Sequence, residues 1–244
     1  MLPACRGRLD RDLFERKKVI RRINSFLRPL VIPILLVVSL SACALGRSVI
    51  EVTPPASAAI AGTAAVKITE VRDTRRFTVN PRDPSEPSLG EAAEINDPKI
   101  TARAIGRKRG GFGAALGDVA LPEGSTVAGL VRDAAQTALQ DKGYRVVNET
   151  SPDYAAALPL ALVVDRFWAW FTPGFFSVTA TFKASVVMTG DPLIGGTPMS
   201  ADGFASTSGL AVTESDWTDV VQRGLADLTA RMRERIKAPA EIPH

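Results

Sequence analysis

Between residues 174 and 189 the side chains alternate strictly: Phe176, Val178, Ala180, Phe182, Ala184 and Val186 fall on one face, Ser177, Thr179, Thr181, Lys183 and Ser185 on the other. A period of two at this length belongs to a strand with one buried and one wetted face. The chain must therefore build a sheet and cover one side of it. Its neighbours extend the pattern into an antiparallel meander: residues 157–170 are nearly continuous in apolar side chains, and the polar stretch 199–208, beyond Asp191-Pro192 and Gly195-Gly196, suits an edge strand.

Two segments repeat at three and four instead. Residues 125–142 place Val127, Leu130, Val131, Ala134, Ala138 and Leu139 on one helical face, with Ser125 or Thr126 as cap and Gly143 as stop. Residues 213–237 do the same with Trp217, Val220, Val221, Leu225, Leu228 and Met232, capped by Thr213 or Ser215. Alternation at Val66 and Ile68 marks a first strand over residues 64–72, and residues 144–148 supply a short one after the first helix. The expected architecture is α+β and two-layered: an antiparallel sheet of about four to five strands, with the two amphipathic helices packed on one face.

Which residues remain to fold is decided by Leu40-Ser41-Ala42-Cys43. A basic segment with Arg16, Lys17, Lys18, Arg21, Arg22 and Arg28 precedes an apolar run over residues 29–40, and small residues lead to the cysteine. That is the order of a secretory signal, with the cysteine a lipoprotein pathway requires for acylation and cleavage. A membrane span wants about 20 apolar residues; this run is shorter and broken by Pro33. The expectation is a lipoprotein signal peptide at residues 1–42 and lipidation at Cys43. A flexible tether at 43–63, rich in Ala, Ser, Gly and Pro, would then lead to a single domain at 64–238 and a disordered tail at 239–244. Ala44, rather than Asp, follows the cysteine and favours the outer membrane, on its periplasmic face, over the inner membrane.

Removing the signal changes the charge argument. The whole chain holds 30 Lys+Arg against 26 Asp+Glu; residues 1–42 hold 9 and 3 of these, so the remainder carries 21 against 23, a net charge of −2. The basic pI belongs to the signal, and nucleic acid is not expected as a partner. Cys5 is discarded and Cys43 is consumed by lipid, so no disulfide staples the domain.

Residues 73–117 read as an Arg/Pro/Gly-rich excursion, with a possible short strand at 100–105. Within it Arg107, Lys108 and Arg109 sit among glycines 106, 110, 111, 113 and 117. The spacing fits neither a P-loop nor a dinucleotide fingerprint. It is expected to be a flexible loop, and the three cations are a candidate anion contact.

A lipobox, a strand ending in Val71-Arg72-Asp73-Thr74-Arg75, a helix closing on Lys142-Gly143-Tyr144-Arg145-Val146, a meander and a C-terminal amphipathic helix together resemble the YajG-like family of bacterial lipoproteins. The likeness covers roughly residues 64–235. It implies an outer-membrane lipoprotein with two helices on an antiparallel sheet, and it carries over no catalytic residue.

The residues themselves point away from catalysis. The single histidine is His244, at the terminus, and no Ser-x-x-Lys string occurs. Lys183 with Ser185 is an ordinary wet strand face, and Asp216 with Asp219 suits a helix start. No catalytic residue, metal site or cofactor is expected.

Residues 167–176 hold six aromatics around one turn. Alternation sends only half of those on the strand to one side: Trp168 and Trp170 together, Phe167 and Phe171 opposite. Either the hairpin is covered on both faces or it presents a contact surface. The candidates for such a contact are Trp168, Trp170, Phe171 and Phe175. Two functions are compatible: a non-enzymatic, membrane-anchored envelope lipoprotein that binds or scaffolds an unidentified envelope protein, or an accessory subunit of a transport or lipopolysaccharide-assembly complex.

Overall fold

A computed structural model describes residues 46–59, 62–109 and 115–239. The expected signal segment and Cys43 lie outside the described residues, as does His244. In chain order the strands are β1 (Ser48–Val49), β2 (Ala65–Asp73), β3 (Thr78–Val79), β4 (Ser88–Leu89), β5 (Ala104–Arg109), β6 (Ala115–Ala120), β7 (Arg145–Val146), β8 (Leu158–Pro173), β9 (Val178–Gly190) and β10 (Gly195–Gly209). The helices are α1 (Pro98–Thr101), α2 (Val127–Asp141) and α3 (Glu214–Arg235).

The 16-residue β8 is the spine. One of its edges pairs with β9 along nearly its whole length, and β10 continues that antiparallel meander. The other edge is shared. Its first half runs parallel to β2 from Leu158 to Val164, and Ala169 in its second half pairs parallel with Gly106 of β5. Beyond β2 lies β7, parallel; beyond β5 lie antiparallel β6 and then β1, parallel to β6. The expected sheet of four to five antiparallel strands is therefore corrected to an eight-stranded mixed sheet, with β3 and β4 forming a separate parallel pair. The added strands are short, and their pairing is decided by distant partners rather than by an internal period. The parallel β2–β8 pair needs a long crossover, and α2 with β7 lies within it.

The helix ends follow local chemistry. Thr126 accepts from the Gly129 N–H at 3.0 Å, and Gly143 takes a φ of +86° to end α2. Thr213 and Asp216 form a reciprocal capping box at the start of α3. Both helices pack on one face of the sheet, where Leu160, Leu162, Val164, Phe167, Ala169, Phe182 and Val186 meet Val131, Ala134, Ala138, Val221, Leu225 and Leu228. Close approach of α3 to β10 depends on glycine: a Cβ at Gly203 would stand 2.6 Å from the Gly224 carbonyl oxygen and 2.7 Å from Leu228 Cβ. Asp227 of α3 accepts from the Phe204 N–H at 3.0 Å and Arg223 donates to the Ser206 carbonyl at 3.2 Å, so the exposed edge of β10 is partly satisfied by helix side chains.

A bulge between Val164 and Arg166 changes which residues of β8 face the helices. Before it these are the even-numbered Leu160, Leu162 and Val164; after it, Phe167 and Ala169. Trp168 and Trp170 consequently point to the opposite face.

That face is not bare. Residues 74–101 fold back across it, and Leu89, Ala104, Trp168 and Trp170 form a second core bordered by Phe77, Ile95 and Ile100. The excursion is thus an ordered cover over most of its described length. Of the expected flexible loop at 106–117, residues 106–109 and 115–117 belong to the paired strands β5 and β6, and the possible strand at 100–105 overlaps β5 only at Ala104 and Ile105. The early part of the expected tether is likewise folded: Ser48 and Val49 pair with Val119 and Ala120, and Ile50 is buried.

Candidate functional site

Two arrangements of polar groups lie where residues 74–101 meet the sheet. The first centres on Arg75, whose side chain is fully buried. Its Nε and Nη2 grip the Asp73 carboxylate at 2.9 and 2.7 Å, Nη1 donates to the carbonyls of Ala104 and Phe167 at 2.6 and 3.1 Å, and Nη2 also reaches the Thr101 carbonyl at 2.8 Å. The Phe77 ring lies over the guanidinium, 5.2 Å away. A planar fork with five donors suits a node joining β2, β5, β8 and α1. With its donors consumed by the fold, Arg75 is structural.

The second is a cavity of about 220 Å³ between α1, β1 and the β5–β6 hairpin. Leu89, Ile100, Ala104 and Ala120 form its apolar floor; Arg47, Lys99, Arg103, Asp118 and Glu123 bring the charges. Asp97 caps α1 by accepting from the Lys99 N–H at 2.8 Å, which sets Lys99 and Ile100 toward the site. Arg103 is held by its donation to the Leu121 carbonyl at 2.8 Å. Arg47 bridges Glu94 and Asp118, at 2.8 and 3.3 Å.

Asp118 is buried, and this loss of water pushes its carboxyl above the ordinary range; Arg107 and Arg47 pull the other way, and Glu94 adds to the rise. Arg107 is only 4% exposed. Its Nη1 stands 4.0 Å from the Asp118 carboxylate and its Nη2 3.5 Å from Oδ1 of Asn80, a residue in the left-handed region at φ 50°. Among the described residues, Arg107 Nε and Nη1 have no hydrogen-bond partner. The cavity offers a small ligand both signs of charge over an apolar floor. Among the described residues, no group of three or more His, Cys, Asp or Glu side chains is placed to hold a metal ion.

The structure separates the expected anion contact. Strand alternation sends Arg107 and Arg109 toward residues 80–88, where Arg109 donates to the Pro81 carbonyl at 2.7 Å, and sends Lys108 toward Glu214, 4.0 Å away. The three cations share no cradle, so that expectation is corrected. The contact expected at Trp168 and Trp170 is corrected as well. Both rings are buried, Trp168 donating Nε1–H to the Pro84 carbonyl at 3.3 Å and meeting Phe77 edge-on. Phe171 is half-buried against Trp217, with centroids 6.1 Å apart. Phe175 alone of the four is exposed, at 92%.

Of the remaining polar residues, Ser185 donates to Asp202 at 2.6 Å and Lys183 lies over the Phe204 ring, ordinary contacts of a wet sheet face. The cavity itself was missed because Arg47, the Lys99–Arg103 segment and Asp118 come from three separate stretches with no shared motif. The Asp73-Thr74-Arg75 triplet gave the only local signal, for the structural node.

No protein-family model and no curated protein matches the chain. A solved structure described as "Crystal structure of uncharacterized protein" aligns with 78% of this chain and 97% of its own, at 9% identity and a TM-score of 0.38. A likeness at that score supports no inference about fold or function.

Proposed function

We propose that this protein is a non-enzymatic lipoprotein of the bacterial envelope, anchored to the membrane through Cys43 and facing the periplasm in a binding or scaffolding role. The observation that carries this reading is the order of basic segment, apolar run, small residues and cysteine ending at Leu40-Ser41-Ala42-Cys43. Ala44 favours the outer membrane, and the resemblance to the YajG-like lipoproteins belongs to the same proposal. Among the described residues no helix is long and apolar enough to cross a membrane. Binding, in this reading, uses surfaces that Arg75 and the second core hold rigid rather than a reacting group.

Metabolic labelling with a fatty-acid analogue tests it. The wild-type chain should take up label and shorten on processing; Cys43→Ala should do neither. A wild-type chain that stays at full length in the membrane without label would overturn the proposal.

A further inference from the structure

Among the described residues, the three most exposed large apolar side chains are Phe175 at 92%, Leu210 at 90% and Phe176 at 82%. Single exposed apolar residues are ordinary on a protein surface. These three are not scattered. Phe175 and Phe176 are the central residues of the turn from β8 to β9, closed by the Gly174 N–H donating to the Ser177 carbonyl at 2.6 Å. Their rings meet edge to face with centroids 4.5 Å apart. Leu210 follows Gly209, which pairs with Val178 at the start of β9, so it emerges at the same end of the sheet.

The chain enters the fold at that end too. Gly106 runs parallel beside Ala169, which sets Arg109 at the Pro173 end of β8; Arg109 pairs with Ala115, and the Gly46 N–H donates to the carbonyl of Leu116, the next residue, at 2.8 Å. Gly46 is three residues after Cys43, and three residues span at most about 10 Å when extended. A lipid on Cys43 therefore holds this end of the sheet against the bilayer.

We infer that the Phe175–Phe176 turn and Leu210 dip into the lipid surface and orient the domain on it, an inference that rests on the lipoprotein reading above. Aromatic and branched apolar side chains beside an acyl anchor supply the second membrane signal that a single weak contact lacks. Of the described charges near this end, Lys108 is paired with Glu214, Arg47 with Glu94 and Asp118, and Arg109 is turned onto the Pro81 carbonyl. The contact is therefore apolar and only weakly dependent on salt.

The test uses the full processed chain, purified from membranes and reconstituted into phosphatidylcholine–phosphatidylglycerol vesicles, with Phe176→Cys, Leu210→Cys or Thr197→Cys. Thr197 is exposed on β10 near Gly195, at the opposite end of the sheet. Cys5 is lost with the signal and Cys43 is acylated, so each introduced thiol reports alone. A membrane-impermeant maleimide should modify positions 176 and 210 about tenfold more slowly than position 197, the ratio that burial of one such side chain gives. Equal rates at all three positions would overturn the inference and leave this end standing in water for a protein partner. Fatty-acid label is read on the same samples: loss of label with protection retained would overturn the lipoprotein reading and leave the apolar contact standing.

Discussion

Replacing Trp168 by alanine probes the second core, the feature of this fold that most changes how its surface is understood. Trp168 has no exposed area; it touches the cluster of Leu89, Ala104 and Trp170, meets Phe77 with centroids 6.0 Å apart and donates to the Pro84 carbonyl. Truncating a buried ring of this size costs about 3–5 kcal/mol, which includes the lost edge-on pair and the cavity. In a domain of about 200 residues each kcal/mol moves the melting temperature by about 2–4 °C, so the expected drop is about 6–20 °C. The loss should also be local. Phe77, Leu89, Ile95 and Ile100 all belong to the stretch that covers this face, whereas the core under α2 and α3 is built from other residues. Hydrogen exchange should therefore accelerate at residues 77–101 well before it does in α2 and α3. A variant that melts within a degree of wild type, with unchanged exchange at residues 77–101, would refute the second core and return Trp168 to the exposed surface.

Arg75→Ala should cost about 3–5 kcal/mol by leaving Asp73 and three carbonyls without their donor, and Arg75→Lys should recover little of it, since one ammonium cannot reproduce the fork; chemical denaturation reads both. Gly224→Ala should cost about 1–3 kcal/mol, because the added methyl overlaps the Phe182 ring, and thermal melting checks it. Hydrogen bonds from the Thr213 side chain and backbone hold the Asp216 carboxyl below its ordinary range. Its contribution is therefore complete above the ordinary carboxylate pKa of about 3.9 and is lost as the pH falls through the lower folded value. Asp216→Ala should cost about 1 kcal/mol at neutral pH, with the gap to wild type closing in melts below about pH 4.

The elements legible in the sequence are those whose pattern is set by one covered face. Residues 125–142 and 213–237 repeat at the helical spacing because each lays a single stripe on the sheet, and the observed α2 and α3 differ from them by only a residue or two at each end. β9 was legible for the same reason. β5 was not: Arg107, Lys108 and Arg109 look like a solvated run, yet Arg107 and Arg109 reach the turn at Asn80 and Pro81, and Lys108 reaches Glu214 at the start of α3. A strand whose charges are satisfied at long range has no local signature to distinguish it from a loop. The same holds for β1, two residues long and held by its pairing with Val119 and Ala120.

The aromatic hairpin shows where the reasoning from alternation stops. Period two correctly separates Trp168 and Trp170 from Phe167, but it says nothing about what lies over each face. The cover for the tryptophans comes from Phe77, Leu89, Ile95 and Ile100, more than sixty residues upstream and too sparse to show a period among the prolines and charges around them. The bulge at Val164–Arg166 compounds this, because it moves the helix-facing positions from even to odd within a run that is nearly continuous in apolar side chains. Past Pro173 the strand ends, and with it the alternation that would assign Phe175 and Phe176 to a side. Their exposure follows instead from the turn: its two central residues project beyond the sheet, where neither the helices nor the cover of residues 74–101 extends.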